Sequence, residues 1–333
     1  MSRLPTAVAV FALAMVAGWC SSREFPPAAE PPVSPPVRNP PAGRVVRVGS
    51  APEGLVADSE TGLVAVALRN PDRLAFVRER SGRVVRRARV PESARHLAHA
   101  GPGGPVLAPS ERADVLSEVD PRTGAVTSIR VGRFPHDAVP AGDRIFVGNE
   151  MGDSVSVIEG RDLVRTLKTP AQPGGIAASG MGQVVVVGVR AREIEAFDAR
   201  TLRSLGKISA GAGPTHVVSD GRNRFYVADT SGAAILVYAV DPKLRFVDRV
   251  NTPAPPYGLA LDMRRRQLWV TLPSRNRILR YKVPKAGGSV RQVGSFPTVR
   301  QPNTVAVDPS SGRVFIASRA TDTLQYFDPP KEP

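Results

Sequence analysis

The sequence predicts an all-β fold: a seven-bladed β-propeller of four-stranded blades. Three observations predict it. A motif of the form Pro-x-Gly-apolar-Ala-apolar-Asp recurs seven times, each copy followed by a turn and a second apolar run. The copies start at residues 52, 94, 135, 173, 214, 256 and 302, a spacing of 38–46 residues. Each interval reads as short alternating strands divided by Gly, Pro, Asn and Asp, without room for a helix-rich insertion. Radial repetition near a 40-residue period is the sequence mark of a propeller.

Residues 1–20 stand apart from this pattern. Arg3 precedes an apolar stretch, Ala7 to Trp19, which ends at Cys20, the only cysteine. This reads as an export signal, too short for a comfortable membrane span. Cys20 occupies the place of the acylated residue in a lipoprotein signal, although Trp19 stands where a small residue is usual. A lipid anchor on Cys20 is therefore expected, with an ordinary cleaved signal as the alternative. Residues 21–43 are a proline-rich linker, dense in proline from Phe25 to Gly43 and expected to be an extended, semi-rigid spacer. Residues 44–330 form the propeller head. Without further cysteines the head has no disulfides, and nearly 290 residues can bury a core without them.

The sixth copy gives the template of a blade. Tyr257 to Asp262 reads as the inner strand, Gln267 to Thr271 as the second, Arg277 to Val283 as the third and Ser289 to Gly294 as the outer strand. Trp269 falls at a core position. In the first and last copies the inner turn reads DSETG from Asp58 and DPSSG from Asp308, which suits a tight turn with a late glycine at positive φ. The second copy carries Gly101-Pro102-Gly103-Gly104-Pro105 where a turn and strand belong, so its blade is expected to be the least regular. The last copy lacks one strand. Arg44 to Gly49 supplies it, pairing with residues 323–328 to close the ring and hide an edge.

The net charge is +15, from 45 basic residues, of which 39 are arginine, and 30 acidic ones. A basic surface favours anionic partners. The arginines are scattered and aromatics make up only 5%, so single-stranded nucleic-acid binding is the least expected role.

The segment Arg144 to Pro173 resembles the YVTN-type β-propeller repeat, with an apolar strand, Asn, a short turn and SVSVI. Variants recur at Phe225 and Leu268. The resemblance extends over residues 44–330 and implies a YncE-like exported propeller. It carries little about activity. Covalent c-type haem has no Cys-x-x-Cys-His here, and neither a Gly-x-Ser-x-Gly elbow nor a phosphate-cradling loop in a strand-to-helix context occurs.

Inner strands line a propeller's channel, so the residues that begin them surround one mouth. One ring holds Glu53, Arg95, His136, Gly174, Thr215, Tyr257 and Asn303. The next holds Gly54, His96, Asp137, Gly175, His216, Gly258 and Thr304. Alternation predicts that the rings face apart, with His96 and His216 too distant to share an ion. Glycine is the usual occupant of the second ring, where backbones are expected to approach closely. The candidate ligand-binding residues are Glu53, Arg95, His136, Asp137, His216, Tyr257 and Asn303.

Two chemistries follow. Arg95, His136, His216, Tyr257 and Asn303 offer donors and an aromatic face to an anion or peptide. Glu53, His136 and Asn303 offer a divalent cation O and N ligands, and Glu53 and Asn303 resemble metal ligands of gluconolactonase-like propellers. Arg95 opposes that cation, and Leu55 and Thr304 depart from the motifs. Arg95 is either a donor to such an anion or consumed by an ion pair with adjacent Glu53. The expected function is binding or scaffolding at the cell envelope, without a cofactor and without catalysis. The candidate partner is an envelope protein or anionic cell-wall polymer. The alternative is a metal-dependent hydrolase or lyase.

Overall fold

A computed structural model describes residues 25–285 and 289–331. The expected export signal and Cys20 lie outside the described residues. Seven four-stranded antiparallel sheets make up the ring, each strand paired with its sequence neighbour except the first, which joins the last blade. Blade 5 is typical, with strands Pro214–Ser219, Arg224–Asp229, Ala234–Val240 and Leu244–Asn251. In blade 6 the outer strand is Arg291–Pro297, a little later than the sequence reading.

The burial pattern explains the sequence pattern. Second and third strands lie between neighbouring blades, so both their faces are covered. Val184 to Val187 are all fully buried for this reason. Outer strands such as Asp162–Lys168 are mostly exposed. Among the described residues, an apolar cluster fills each junction between consecutive blades, seven in all. Trp269 is fully buried in the junction of blades 6 and 7. Each large side chain so buried contributes roughly 1.5–3 kcal/mol.

The ring closes as expected. Arg44–Arg47 pairs antiparallel with Thr323–Phe327, placing Arg44 opposite Tyr326 and Arg47 opposite Thr323. Blade 2 is the least regular, its inner strand reduced to Ala98–His99. The inner turns also form as read. The Asp58 carboxylate accepts from Thr61 N at 3.1 Å and Thr61 Oγ1 at 2.7 Å, while Gly62 takes φ +62°. Asp308 accepts from Ser311 N and from Ser59 Oγ of blade 1, tying the closing seam.

The proline-dense segment is extended, as its composition predicts, but residues 25–43 do not stand off from the head as a spacer. They form a strap across the channel mouth. Arg190 donates to the Phe25 carbonyl at 3.2 Å, and Ala28 packs on the core of blades 4 and 5. On the far side Ser34 is buried: its Oγ donates to the Pro273 carbonyl at 2.6 Å and accepts from Gln301 N at 2.9 Å. Asn276 and Gln301 side-chain amides hold the Pro35 and Pro32 carbonyls. Proline brings no N–H, so the strap docks without burying unpaired donors, and side chains of the blades satisfy its carbonyls.

Glu79 lies at the seam under blades 1 and 7, where Arg313 donates to its carbonyl at 2.8 Å. Burial pushes its carboxyl up to about 8, and the charge of Asp308 adds to this against the opposing Arg313. The folded state thus keeps a proton that the unfolded chain releases. That contribution to stability is complete below about pH 4.5 and is lost as pH rises to about 8. Glu79→Gln should therefore match the parent at pH 4 and exceed it at pH 8, by at least roughly 3 °C in melting temperature. Thermal melts across that range check the difference; a constant offset would contradict it.

Candidate binding site at the channel mouth

The inner strands start at the mouth, and their first residues are irregular. Register shifts fall between Pro135 and Asp137, Pro173 and Gly175, Pro214 and Val217, and Pro302 and Thr304. A bulge of this kind re-aims side chains and suspends strict alternation. The two rings therefore do not face apart, as alternation alone predicts. They merge. His96 of the second ring packs on His136 of the first, with ring centroids 4.8 Å apart. His96 also lies 4.8 Å from His216, which meets the edge of Tyr257 at 4.5 Å. The histidines of blades 2 and 5, expected to be distant, touch because both reach across a narrow channel.

This belt of rings divides the channel. Below it lies a funnel of about 660 Å³, lined mostly by apolar residues such as Leu97, Ile176, Val217 and Met263. Above it lies a polar chamber of about 300 Å³, lined by Glu53, Arg69, Arg95, Glu111, Asn303 and Arg319 and roofed by Glu30 and Pro31 of the strap. Burial, followed by the charge of His136, drives His96 well below the ordinary imidazole value, and burial likewise takes His216 down to about 3. Both are neutral at pH 7.

Second-ring glycines mark where neighbouring backbones leave no space. A Cβ on Gly258 would stand 2.4 Å from the Asn303 carbonyl oxygen. Asp137 replaces glycine in blade 3. It accepts from Ala138 N at 2.9 Å and from Ile176 N of the next blade at 3.2 Å, while burial raises its carboxyl to about 6. Thr304 donates to the Glu53 carbonyl.

Arg95 does not form the ion pair with Glu53 that is one of its two expected roles. Its Nε lies 2.6 Å from Glu111 Oε1, and Nη2 lies 3.5 Å from Glu150 Oε2. Glu53 is held by Arg69 at 2.9 Å and approached by Arg319 at 3.9 Å. His136 Nδ1 sits 3.0 Å from Glu111 and 3.4 Å from Glu150. Burial opposes the Glu111 carboxylate, but the hydrogen bond and charge of His136, aided by Arg95, hold its pKa below the usual value. Asn303 Oδ1 accepts from Gln301 Nε2 at 2.9 Å, and Gln301 also holds the strap.

Glu53, His136 and Asn303 thus line one chamber, each engaged by a different partner: Arg69, Glu111 and Gln301. Among the described residues, Glu111, His136 and Glu150 form a group of imidazole and carboxylates whose ligand atoms all lie within 4.8 Å of one another. Two carboxylates and an imidazole are suitable ligands for a divalent ion. Here, however, the Arg95 guanidinium already supplies the positive charge at both carboxylates, so a metal fits only if Arg95 leaves. Sequence reasoning missed Glu111 and Glu150. They hold the same place in adjacent blades, directly after the second strand and opening a short 3₁₀ turn that ends in a left-handed aspartate, Asp114 or Asp153. The paired readings Glu-Arg-Ala-Asp and Glu-Met-Gly-Asp were the available signal.

No protein-family model matches the chain, and no curated protein matches it in sequence. Solved structures do. A chain of hydrazine synthase from Kuenenia stuttgartiensis aligns at TM-score 0.72 and 17% identity, over 84% of this chain and 96% of that one. Virginiamycin B lyase from Staphylococcus aureus aligns at 0.69 and 13% identity, over 84% and 97%. A chain of the mitotic checkpoint complex aligns at 0.75 and 14% identity, over 92% and 100%. The likeness is one of fold. The same ring serves enzymes and an assembly component, so activity has to be argued from the site.

The buried ion cluster gives a direct test. Glu111→Ala leaves Arg95 and His136 facing a lost partner and should destabilise the protein by about 3 kcal/mol. Arg95→Met should cost about 2 kcal/mol, and the double variant clearly less than the sum. Chemical denaturation of the three variants measures the coupling; strict additivity would show that the contact carries no energy.

Proposed function

We propose that the protein is an exported, lipid-anchored propeller of the YVTN/YncE type that binds an anionic partner at the cell envelope through its channel mouth. The observation that carries this reading is the compensation of charge in the upper chamber. Glu53 and Glu111 each face a close cation, and Glu150 is shared between Arg95 and Gln172. The chamber thus holds these carboxylates in ion pairs and hydrogen bonds, beside the neutral imidazoles of His96 and His216. It also offers Arg319, whose side chain is 57% exposed and whose nearest carboxylate is 3.9 Å away. A cation so loosely engaged, beside Tyr257 and Asn303, suits recognition of a carboxylate or phosphate-bearing fragment.

The strap bears on the anchor. The docked Phe25 is five residue steps beyond Cys20, and a fully extended chain covers about 3.5 Å per step. An acylated Cys20 would therefore hold the mouth within about 20 Å of the lipid, with the lower funnel turned away. That arrangement favours a partner close to the membrane over one reached by a long tether.

The second reading is a metal-dependent hydrolase or lyase. Glu111, His136 and Glu150 favour it, in place of the set read from sequence. It requires Arg95 to swing out when the ion binds. Nucleic-acid binding finds no support: Phe246 is the single aromatic among the described exposed large apolar residues.

Thermal-shift measurements on the mature protein separate the readings. Soluble anionic muropeptides should raise the melting temperature, and Arg319→Ala should abolish the rise while leaving the unliganded melt within about 1 °C. Stabilisation by manganese or zinc that disappears in Glu150→Gln would replace this reading with the metal enzyme. A clickable palmitate analogue should label the parent and not Cys20→Ser; equal labelling would remove the anchor.

A further inference from the structure

A second charged recess lies on the face opposite the mouth, between blades 6 and 7. The inner turn of blade 6 carries three consecutive arginines, Arg264, Arg265 and Arg266. With Arg280, Lys282 and Lys331 they line a groove of about 580 Å³, and among the described residues no aspartate or glutamate lines it.

Arg280 distinguishes this groove from a solvated patch. It is only 4% exposed, in the third strand of blade 6. Its guanidinium lies 5.8 Å from the Trp269 ring and 5.7 Å from the Phe296 ring. Nη1 donates to the Pro330 carbonyl at 2.8 Å, and Nε has no partner. Among the described residues no carboxylate lies within ion-pair distance of it. A buried guanidinium facing aromatic rings and one carbonyl is an uncompensated charge, and such charges call for a counter-ion.

The neighbouring arginines are oriented in part by carbonyls. Arg265 reaches Asp262 at 3.0 Å and also the Pro309 and Ser310 carbonyls of blade 7. Arg266 donates through Nη2 to the Val283 carbonyl at 2.6 Å, which leaves its other donors for a ligand. Arg264 is exposed. Asp262 offsets the charge of Arg265, but carbonyl contacts fix a guanidinium without neutralising it, so Arg266 and Arg280 keep their charge beside the exposed Arg264.

From this we infer that the groove between blades 6 and 7 binds a phosphate group, with Arg264, Arg266 and the buried Arg280 as its donors. Guanidinium forks match the oxygen geometry of phosphate, and a dianion balances more of this charge than a carboxylate does. The site is separate from the mouth and does not depend on the function proposed there.

Calorimetric titration of the mature protein with sodium pyrophosphate, at ionic strength fixed by sodium chloride, tests the inference. Saturable binding is expected. Arg264→Glu combined with Arg266→Glu, both on a surface turn, should weaken it at least about tenfold, and Arg222→Glu on blade 5 less than about twofold. Equal weakening by both would reduce the effect to net charge and overturn the site, as would absence of saturable binding. Arg280→Met is informative only where its melt matches the parent; the pair on the turn decides otherwise. Sedimentation with phosphatidylglycerol vesicles, competed by pyrophosphate, would assign the phosphate to a lipid headgroup. Pyrophosphate binding without sedimentation would assign it to a soluble phosphate ester.

Discussion

The close approach of seven inner strands around one axis is the constraint on which the rest of the structure depends. Adjacent inner strands come near enough that an added Cβ at Gly54 would meet the backbone of Ala94 and Arg95 at 3.0 Å, and one at Gly258 would meet Asn303 still closer. Glycine relieves the crowding in three blades. In the others a side chain must leave the strand plane, and the open direction is the channel. His96, Asp137 and His216 project there for that reason. A channel this narrow lets imidazoles from non-adjacent blades touch, which turns a repeated scaffold into two compartments of different polarity.

Charge compensation shapes the upper compartment. Glu111 and Glu150 are buried, and burial of an unpaired carboxylate is costly enough that a cation must accompany each. Arg95 and His136 serve both acids from adjacent blades. The same logic disfavours a resident metal, because the guanidinium already performs the electrostatic work an ion would do. It also leaves the opposite face in contrast. There Arg265 of the blade 6 turn is paired with Asp262, but among the described residues no carboxylate lies within ion-pair distance of Arg264, Arg266 or the buried Arg280.

The strap ties these features to the proline-dense segment. A free proline-rich spacer would stand off from the head. A strap docked from Phe25 to Ala42 crosses the mouth face and covers the chamber with Glu30 and Pro31. The strap residues Glu30 and Pro31 are therefore part of the chamber wall together with the ring, and the Ser34 contacts with Gln301 and Pro273 hold them there.

The sequence by itself determined the ring. The sevenfold motif, the turn residues at Asp58 and Asp308, the missing strand of the last copy and the weak second copy all report local chemistry. Backbone geometry and turn preference act within a few residues, so they are readable in one dimension. The candidate residues at the mouth were legible as a set, since repeat alignment places Glu53, Arg95, His136, Tyr257 and Asn303 at equivalent positions. Their partners were not. Whether Arg95 meets Glu53 or Glu111 depends on side-chain reach between blades, and bulges at the first residues of the inner strands break the alternation from which a sequence reading infers facing. Docking of the proline segment was hidden for a similar reason. Its composition specifies an extended backbone, but adhesion depends on Gln301, Asn276 and Arg190, donors far away in sequence that only the closed ring gathers along one line.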